Sequence, residues 1–336
     1  MLRKIRVGIN GFGRIGRAAF KIISSKSSME VTAINDLMDT EVLAHLLKYD
    51  SVYRGFAPKV GYDEKSIIVS GRKIPVLAEK VPSLIAWKNH KVDVVLECTG
   101  RFTKDGLARA HLLGGANKVI ISAPAKGGGV ETFLLGVNEK KYKKQDVISC
   151  ASCTTNSVAP VAAVLQENFG ILKGVVTTVH AYTAEQNLVD GPPPALKKDL
   201  RRARAAAVNI IPTTSGVADA MKSVFSGLDE KFDGMALRVP VPTGSISDFT
   251  VLVKKKTTVE KVNAAFVAYA QKYPKILEVT FDPIVSSDII ANTHSAIVDA
   301  SLTRVVAGDL VKVFAWYDNE WGYANRLVEE IELVMA

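Results

Sequence analysis

A glycine-rich turn near the N-terminus constrains the fold of this chain more than any other feature. Residues 4–10 (KIRVGIN) alternate apolar side chains as a strand does, and run directly into GFGRIG, with glycines at positions 11, 13 and 16. In a strand–turn–helix unit, Gly11 allows the tight turn, Gly13 admits a pyrophosphate to the backbone, and Gly16 lets the helix pack closely on the strand. The turn therefore predicts a helix whose N-terminus binds phosphate groups.

A second predicted strand, at 30–36 (EVTAIND), supports a dinucleotide site. Asp36 ends this strand, where a carboxylate accepts hydrogen bonds from ribose hydroxyls. A negative charge there repels a 2′-phosphate, and the next residue is Leu37 rather than a cation, so NAD is favoured over NADP. Glycines that serve only helix packing remain the alternative. Further strands are predicted at 92–100 and 118–124.

The second half of the chain has a different pattern. Neighbouring strand-like stretches favour antiparallel or mixed pairing over repeated βαβ winding, and 243–245 (TGS) predicts a tight connection between two of them. A helix is predicted at 257–273, capped by Thr257 or Thr258, and another at the C-terminus. The predicted strands lie at 174–183, 234–242, 245–255 and 309–319.

These patterns predict an α/β fold class with two domains. The first is a Rossmann-type NAD-binding domain with a mostly parallel sheet, and the second is an α+β catalytic domain with a mixed or antiparallel sheet. The predicted boundaries are 1–152 for the NAD-binding domain, 153–318 for the catalytic domain, and 319–336 for a C-terminal helix that returns to the first domain.

Composition narrows the class of protein. The chain has 336 residues, three cysteines and a formal net charge of +9. Three cysteines are too few for a disulfide framework, and no secretory signal or membrane-length apolar run is visible, so a cytoplasmic protein is expected. The positive charge suits nucleic acid or small phosphorylated substrates, but the basic residues are spread out; the densest cluster is at 197–204.

The segment 149–156 (SCASCTTN) contains two of the three cysteines. It could be half of a zinc site, a C-x-x-C redox pair, a buried turn, or the position of one reactive thiol. Cys153 begins a helix-like stretch for which Ser152 is a plausible N-cap. A thiol in the first helical turn should have a lowered pKa, although Pro160 would kink that helix or mark its true start.

The possible partners of the cysteines favour the reactive thiol. A zinc site needs further ligands, and the histidines are scattered along the chain without a second cysteine pair. A thioredoxin-like motif belongs in a small βαβ unit rather than at residue 150. His180 ends a predicted strand with small and polar neighbours, and an imidazole beside the thiol could activate it and transfer protons. The five histidines are His45, His90, His111, His180 and His294.

The chain resembles the phosphorylating glyceraldehyde-3-phosphate dehydrogenase family almost from end to end. The order and spacing of several motifs agree with that family. The segments that carry the resemblance are VGINGFGRIGR (7–17), ASCTTN (151–156), HAYT (180–183), RRARAAAVNIIPTTSG (201–216), GMALRVPVP (234–242) and WYDNEWGYANR (316–326).

The resemblance implies that Cys153 is the nucleophile and His180 its acid/base. It implies a cytosolic homotetramer that uses NAD, glyceraldehyde 3-phosphate and inorganic phosphate, without a metal, a membrane segment or a dedicated nucleic-acid site. The implied cofactor-binding residues are Gly11, Gly13, Arg14, Ile15, Gly16, Asp36, Lys80, Thr99, Ser122 and Asn319. The implied substrate- and phosphate-binding residues are Ser152, Thr154, Thr183, Arg202, Ser215, Gly216 and Arg238.

The chain departs from the family pattern at several positions. Cys150 stands where the family usually has Asn, Ser157 where many members have Cys, Ser215 in place of Thr, and Lys80 in place of a frequent Arg. The segment 190–199 is a few residues longer than usual, which bears on cofactor preference and on the tetramer. Two alternative functions remain: oxidation of erythrose 4-phosphate by the same machinery, or a non-catalytic role in binding NAD or RNA.

Overall fold

The computed structural model describes residues 3–192, 199–225 and 231–336. The chain forms two compact units. The first extends to Ser152 and takes in Ala324–Ala336, and the second is Cys153–Tyr323. Part of the extended loop predicted at 190–199, and part of the basic cluster at 197–204, lie outside the described residues.

The first unit is built on a nine-stranded sheet. Its central strands are short and almost fully buried, as expected of a sheet covered on both faces. The strands are β1 (Ile5–Asn10), β2 (Met29–Asn35), β3 (Val60–Asp63), β4 (Ser66–Val69), β5 (Arg72–Leu77), β6 (Val94–Glu97), β7 (Lys118–Ile121), β8 (Glu131–Thr132) and β9 (Val147–Ser149). The helices are α1 (Arg14–Ser24), α2 (Thr40–Lys48) and α3 (Ala110–Leu113), with 3₁₀ turns at Pro82–Leu84, Trp87–His90, Leu107–Arg109 and Glu139–Lys141.

The strand order is β3-β4-β5-β2-β1-β6-β7-β9-β8. All neighbours from β5 to β8 pair in parallel, and only the β3–β4 and β4–β5 pairs are antiparallel. The chain winds outward from β1 in both directions, through β2 on one side and β6 on the other, and ligands bind at such a switch point. The predicted mostly parallel sheet is confirmed.

The glycine turn has the geometry that its sequence predicts. Gly11 has φ 91°, a left-handed conformation that other residues rarely adopt. A Cβ at Gly16 would lie 2.1 Å from the Gly11 carbonyl oxygen, whereas a Cβ at Gly13 would meet no atom within 4 Å. Gly16 is therefore required for the packing of α1 on β1, and Gly13 leaves open space beside the backbone.

The second unit is built on an eight-stranded mixed sheet. The strands are β10 (Ile171–Ala181), β11 (Ile211–Thr214), β12 (Phe232–Val239), β13 (Ser245–Val253), β14 (Leu277–Thr280), β15 (Ala296–Asp299), β16 (Arg304–Val306) and β17 (Leu310–Tyr317). The helices are α4 (Cys153–Phe169), α5 (Val217–Val224) and α6 (Val259–Lys272), with 3₁₀ turns at Ala206–Val208 and Ala300–Leu302. The final helix, α7 (Trp321–Met335), begins at the end of this unit and continues in the first.

The sheet order is β11-β12-β10-β13-β17-β15-β14, with β16 beside β17. The mixed sheet confirms the predicted fold class. The segment 243–245 does lie in the short connection from β12 to β13, as expected, but these two strands do not pair. The strand β10 lies between them, pairing in parallel with β12 and antiparallel with β13. The strands β12 and β13 are therefore not neighbours in the sheet, whereas the consecutive pairs β11–β12, β14–β15 and β16–β17 are.

Alternating burial explains how this sheet positions side chains. Along β13 every second residue is buried, and Val176, Thr178 and His180 likewise share the buried side of β10. The helix α4 packs against β13, β15 and β17. It begins at Cys153 and continues through Pro160, so this proline does not mark the true start of the helix.

The predicted helices near the C-terminus are confirmed. The helix α6 begins after Thr258, whose side-chain oxygen accepts a hydrogen bond from the backbone N–H of Lys261, which selects Thr258 over Thr257 as the cap. Across the described ranges, every helix is too short or too polar to cross a lipid bilayer.

Replacing Gly16 with Ala should destabilise the first unit by about 1–3 kcal/mol, because the new methyl group would overlap a backbone carbonyl that cannot move away cheaply. Gly13→Ala is the matched control, since its methyl group would meet open space, and it should change the free energy of unfolding by less than about 1 kcal/mol. Urea unfolding of both variants measures the difference; equal midpoints would contradict the packing role of Gly16.

Candidate functional site

The residues predicted to bind the dinucleotide lie at one edge of the first unit's sheet. Each follows the carboxyl end of a parallel strand, and these ends meet on the same edge. The glycine turn follows β1, Asp36 follows β2, Lys80 follows β5, Thr99 follows β6 and Ser122 follows β7. The sheet therefore brings together residues that are more than a hundred positions apart in the chain.

Asp36 is oriented by the backbone on two sides. One carboxylate oxygen accepts a hydrogen bond from the Phe12 N–H at 2.7 Å, and the other accepts one from the Met38 N–H at 3.0 Å. These bonds join the glycine turn to the end of β2. A carboxylate oxygen has further lone pairs for ribose hydroxyls, so the arrangement suits the sugar of an adenosine.

A buried polar network supports Thr99. The Glu97 carboxylate accepts hydrogen bonds from the Thr99 N–H at 2.8 Å and from the Thr99 hydroxyl. Its other oxygen lies 2.9 Å from Nε2 of His111, whose Nδ1 accepts a hydrogen bond from the Trp87 indole N–H. Because Nδ1 accepts, Nε2 carries the proton and donates to Glu97. The loop after β6 is thus held from within the core.

The residues of this edge fit NAD. The open space at Gly13 allows a pyrophosphate to approach the N-terminus of α1. Arg14 is held at the same helix start by an ion pair with Asp50, 2.9 Å long, and by the ring of Tyr53, 5.5 Å away. Ile15 is partly buried, and Lys80 is exposed.

The second unit brings Cys153 and His180 together. The Cys153 Sγ lies 3.4 Å from the His180 Nε2. Cys153 is the first residue of α4, and His180 is near the carboxyl end of β10. Cys153 is partly exposed, whereas His180 is buried. The pair has the geometry of a nucleophile beside its base.

Arg238 contacts the far side of the imidazole. The pairing of β10 with β12 places His180 opposite Arg238, whose Nη1 lies 2.7 Å from His180 Nδ1 and 2.9 Å from the Ala181 carbonyl oxygen. Burial and the positive charges of Arg238 and Arg202 lower the pKa of His180 to about 3. The imidazole is therefore neutral near pH 7. In the tautomer with a free Nε2, Nδ1 carries the proton and donates to the Ala181 oxygen at 2.6 Å, so Arg238 Nη1 donates to that same oxygen and not to Nδ1.

The expectation of a lowered thiol pKa is wrong. Burial raises the pKa of Cys153, and this effect outweighs the charge of Arg238 and the hydrogen bonds from the first turn of α4, which act in the opposite direction. The sequence identifies a helix start but not how far the sulfur is removed from water. The raised pKa means that the protonated thiol, rather than a stable thiolate, is the resting form near pH 7.

A chain of hydroxyl groups ties α4 to β10. The Tyr317 hydroxyl lies 3.1 Å from Thr154 Oγ1 and 2.6 Å from Thr178 Oγ1. The Tyr317 ring also packs edge-on against His180, with ring centroids 5.9 Å apart. Thr154 follows Cys153 directly, and Thr178 shares the buried side of β10 with His180, so Tyr317 fixes the surroundings of both.

Two arginines, Arg202 and Arg238, lie next to this pair and both face the carboxylate of Glu185. Arg202 contacts Thr213 Oγ1 at 2.9 Å and Asp199 at 3.2 Å through Nε, and Nη1 donates to Glu185. Arg238 lies 3.5 Å from the same Glu185 oxygen through Nη2. Within the described parts of the chain, the buried Arg238 Nε and Thr183 Oγ1 have no hydrogen-bond partner. Such buried groups fit a phosphate that accepts their hydrogen bonds.

Asn319 has an oriented amide group. Its Oδ1 accepts hydrogen bonds from the Gly244 N–H at 3.2 Å and from the hydroxyls of Ser245 at 3.0 Å and Thr243 at 3.3 Å. Three donors converge on one atom, which identifies that atom as the oxygen. The amide nitrogen is thereby turned away from these donors, in an orientation suited to donating to a ligand carbonyl.

The other predicted phosphate residues lie at helix starts. Ser152 directly precedes α4. Gly216 is the N-cap of α5, and Ser215 Oγ accepts a hydrogen bond from the Val217 N–H at 3.3 Å. The helix α5 packs against α4 and β12, which carry Cys153 and Arg238. Helix starts offer N–H groups to anions.

The three cysteines are free thiols, and Cys150 is fully buried in the first unit. Within the ranges that the structure describes, no three His, Cys, Asp or Glu side chains form a group that could hold a metal ion.

Sequence reasoning missed Glu185, Tyr317 and Thr178. Glu185 stands five residues after His180 but far along the chain from Arg202 and Arg238, so only the fold shows that its carboxylate contacts them. Tyr317 lies in a motif that carries the family resemblance, but only the sheet order shows that its hydroxyl reaches both α4 and β10.

Replacing Arg238 with Gln should move the alkylation profile of Cys153 to higher pH. The positive charge of Arg238 stabilises the thiolate, so its loss raises the thiol pKa further, and the thiolate is the reactive form. The measurement is the rate of iodoacetamide alkylation of Cys153 across pH. Arg238→Lys keeps the charge and should stay closer to the original profile. An unchanged or lower-pH profile for Arg238→Gln would contradict this electrostatic role.

Comparison with known proteins bears on the same residues. Residues 5–105 match the family model for the NAD binding domain of glyceraldehyde 3-phosphate dehydrogenase, and residues 152–319 match that for its C-terminal domain. The chain is 55% identical to the glyceraldehyde-3-phosphate dehydrogenase of Thermotoga maritima over 334 residues, which cover 98% of this chain and 99% of the relative.

Similar matches extend to other bacteria. Glyceraldehyde-3-phosphate dehydrogenase 2 of Streptomyces avermitilis is 52% identical over 329 residues, 97% of each chain. The glyceraldehyde-3-phosphate dehydrogenase of Mycobacterium tuberculosis is 51% identical over 339 aligned positions, 98% of each chain. Together with the two matched domains, these identities confirm the resemblance: the chain belongs to the glyceraldehyde 3-phosphate dehydrogenase family.

Proposed function

We propose that this chain oxidises D-glyceraldehyde 3-phosphate with NAD and inorganic phosphate, giving 1,3-bisphosphoglycerate. The observation that carries the proposal is the 3.4 Å contact between Cys153 Sγ and His180 Nε2, beside two guanidinium groups. A thiol next to a neutral base can add to an aldehyde, and guanidinium groups bind phosphate. Membership of the family supports the same reaction.

The first half of the reaction forms a thioester on Cys153. The sulfur bonds to the aldehyde carbon, and the thiol proton, transferred through His180, ends on the aldehyde oxygen to give a hemithioacetal. His180 Nε2 then accepts the proton of that hydroxyl while the carbon loses hydride, so the carbon–oxygen double bond returns. When bound, NAD supplies the acceptor for this hydride. The neutral state of His180 suits a base in this step.

The second half transfers the acyl group to phosphate. An oxygen of inorganic phosphate bonds to the thioester carbon, the carbon–sulfur bond breaks, and the sulfur recovers a proton from His180. A thioester retains enough free energy to form an acyl phosphate, which an ordinary serine ester would not, so the cysteine is required. The residues proposed to bind the two phosphate groups are Ser152, Thr154, Thr183, Arg202, Ser215, Gly216 and Arg238.

We assign the cofactor to the edge residues of the first unit and to Asn319. The glycine turn would bind the pyrophosphate, Asp36 the ribose of adenosine, and the oriented amide of Asn319 the nicotinamide carboxamide. The proposed domains are 1–152 for NAD and 153–318 for catalysis, with 319–336 as the returning C-terminal segment. A cytoplasmic homotetramer is part of the same proposal and rests on family membership alone.

The test is NADH formation from glyceraldehyde 3-phosphate with and without inorganic phosphate, with erythrose 4-phosphate as the competing substrate. We expect sustained turnover only with phosphate, because the thioester otherwise stays on Cys153, and a higher kcat/KM for glyceraldehyde 3-phosphate. Full turnover without phosphate would contradict the acyl-phosphate step. A higher kcat/KM for erythrose 4-phosphate would reassign the substrate.

Cys153→Ser should abolish NADH formation, whereas Cys150→Ser should retain most of it. Serine at 153 has a far less acidic hydroxyl that cannot form the thioester. Cys150 is buried in the first unit, where its backbone N–H donates to the Ile121 carbonyl oxygen. Both variants change one sulfur to oxygen, so each controls for the other. Comparable losses in the two variants would show that the roles of the cysteines are wrongly assigned.

A further inference from the structure

Glu185 occupies the position between the two arginines that the proposed function assigns to phosphate. One of its carboxylate oxygens accepts a hydrogen bond from Arg202 Nη1 and lies 3.5 Å from Arg238 Nη2. A single carboxylate oxygen thus faces both guanidinium groups, as an oxygen of a bound phosphate would. The chain therefore supplies its own anion at this place.

In each arginine, one guanidinium nitrogen is bound to neighbouring groups of the chain, and another faces Glu185. Arg202 is anchored through Nε, which contacts Thr213 and Asp199. Arg238 is anchored through Nη1, which donates to the Ala181 carbonyl oxygen. If Glu185 moved away, these anchors would keep both guanidinium groups in place, and the edges it had occupied would be free for another anion.

Burial explains why a counter-ion is needed here. The side chains of Arg202 and Arg238 are only 14% and 11% exposed, and the charge of Arg202 helps to lower the pKa of Arg238. Two such charges repel each other when little water separates them. The Glu185 side chain is 34% exposed, so it can turn toward solvent without leaving its own charge buried.

We propose that Glu185 is an internal counter-ion that phosphate must displace, and that it thereby sets the affinity of the site for phosphate. This inference rests on the proposed function and adds a specificity-determining residue to it. In the resting chain Glu185 offsets the repulsion between the arginines. A phosphate dianion carries more charge and more acceptor oxygens than the carboxylate, and it can also reach the unpaired Arg238 Nε and Thr183 Oγ1.

The experiment compares the chain with its Glu185→Gln variant. Glutamine has the same shape without the charge, so inorganic phosphate no longer competes with a carboxylate. Titration calorimetry of each protein with inorganic phosphate should show about three- to tenfold tighter binding to the variant. In steady-state assays the KM for phosphate should fall by a similar factor while kcat changes less.

The matched control is Asp190→Asn. Asp190 forms a 2.7 Å ion pair with Arg204, and both side chains are more than half exposed. Asp190→Asn removes this carboxylate and changes the net charge by the same amount as Glu185→Gln. The ion pair joins Asp190 to Arg204 and not to the two arginines that face Glu185. The affinity for phosphate should therefore stay within about twofold of that of the original chain. Tighter binding in both variants would mean that net charge alone is responsible, and would overturn the role of Glu185.

The remaining outcomes separate this inference from the function on which it rests. Unchanged or weaker phosphate binding in Glu185→Gln, with phosphate-dependent turnover intact, would overturn only the counter-ion role. Thermal unfolding of each variant shows whether weaker phosphate binding reflects loss of folding. Glu185→Ala is a second variant that also removes the carboxylate. Phosphate binding that is absent from the original chain, with turnover that needs no phosphate, would overturn the proposed function as well.

Discussion

The hydroxyl of Tyr317 joins the two elements that carry the proposed chemistry. It contacts Thr154 at the start of α4 and Thr178 on the buried side of β10. Thr154 follows Cys153 in the chain, and Thr178 lies on the same face of β10 as His180. The Tyr317 side chain therefore links the start of the helix to the strand. Because a buried hydroxyl without a partner is costly, the three groups stabilise each other. The Sγ–Nε2 contact of 3.4 Å lies next to this arrangement.

Arg238 lies between the groups proposed for proton transfer and those proposed for anion binding. One edge of its guanidinium faces His180, where its charge helps to keep the imidazole neutral and favours the thiolate form of Cys153. The other edge faces Glu185, together with Arg202. A change of the anion at that second edge therefore changes the electrostatic environment of the thiol and the imidazole through a single side chain. Burial of the site strengthens this coupling, since charges interact more strongly away from water.

Much of the fold could be predicted because it depends on local patterns. The glycine turn, the strand that ends at Asp36, and the helix that begins at Cys153 each follow from short-range chemistry. His180 was predicted as the partner of the thiol from its place at the end of a strand with small and polar neighbours. Sheet order, burial and side-chain direction are long-range properties. The insertion of β10 between β12 and β13, the raised pKa of Cys153 and the contact of Glu185 with two arginines required the folded chain.

The central claim is that Cys153 carries the acyl group between the aldehyde and phosphate. Mass spectrometry of the chain after mixing with NAD and glyceraldehyde 3-phosphate, without inorganic phosphate, tests this claim most directly. We expect a phosphoglyceroyl thioester on the peptide that contains Cys153, and its rapid discharge when inorganic phosphate is added. An adduct on another residue, or NADH formation without any acylated peptide, would contradict the account.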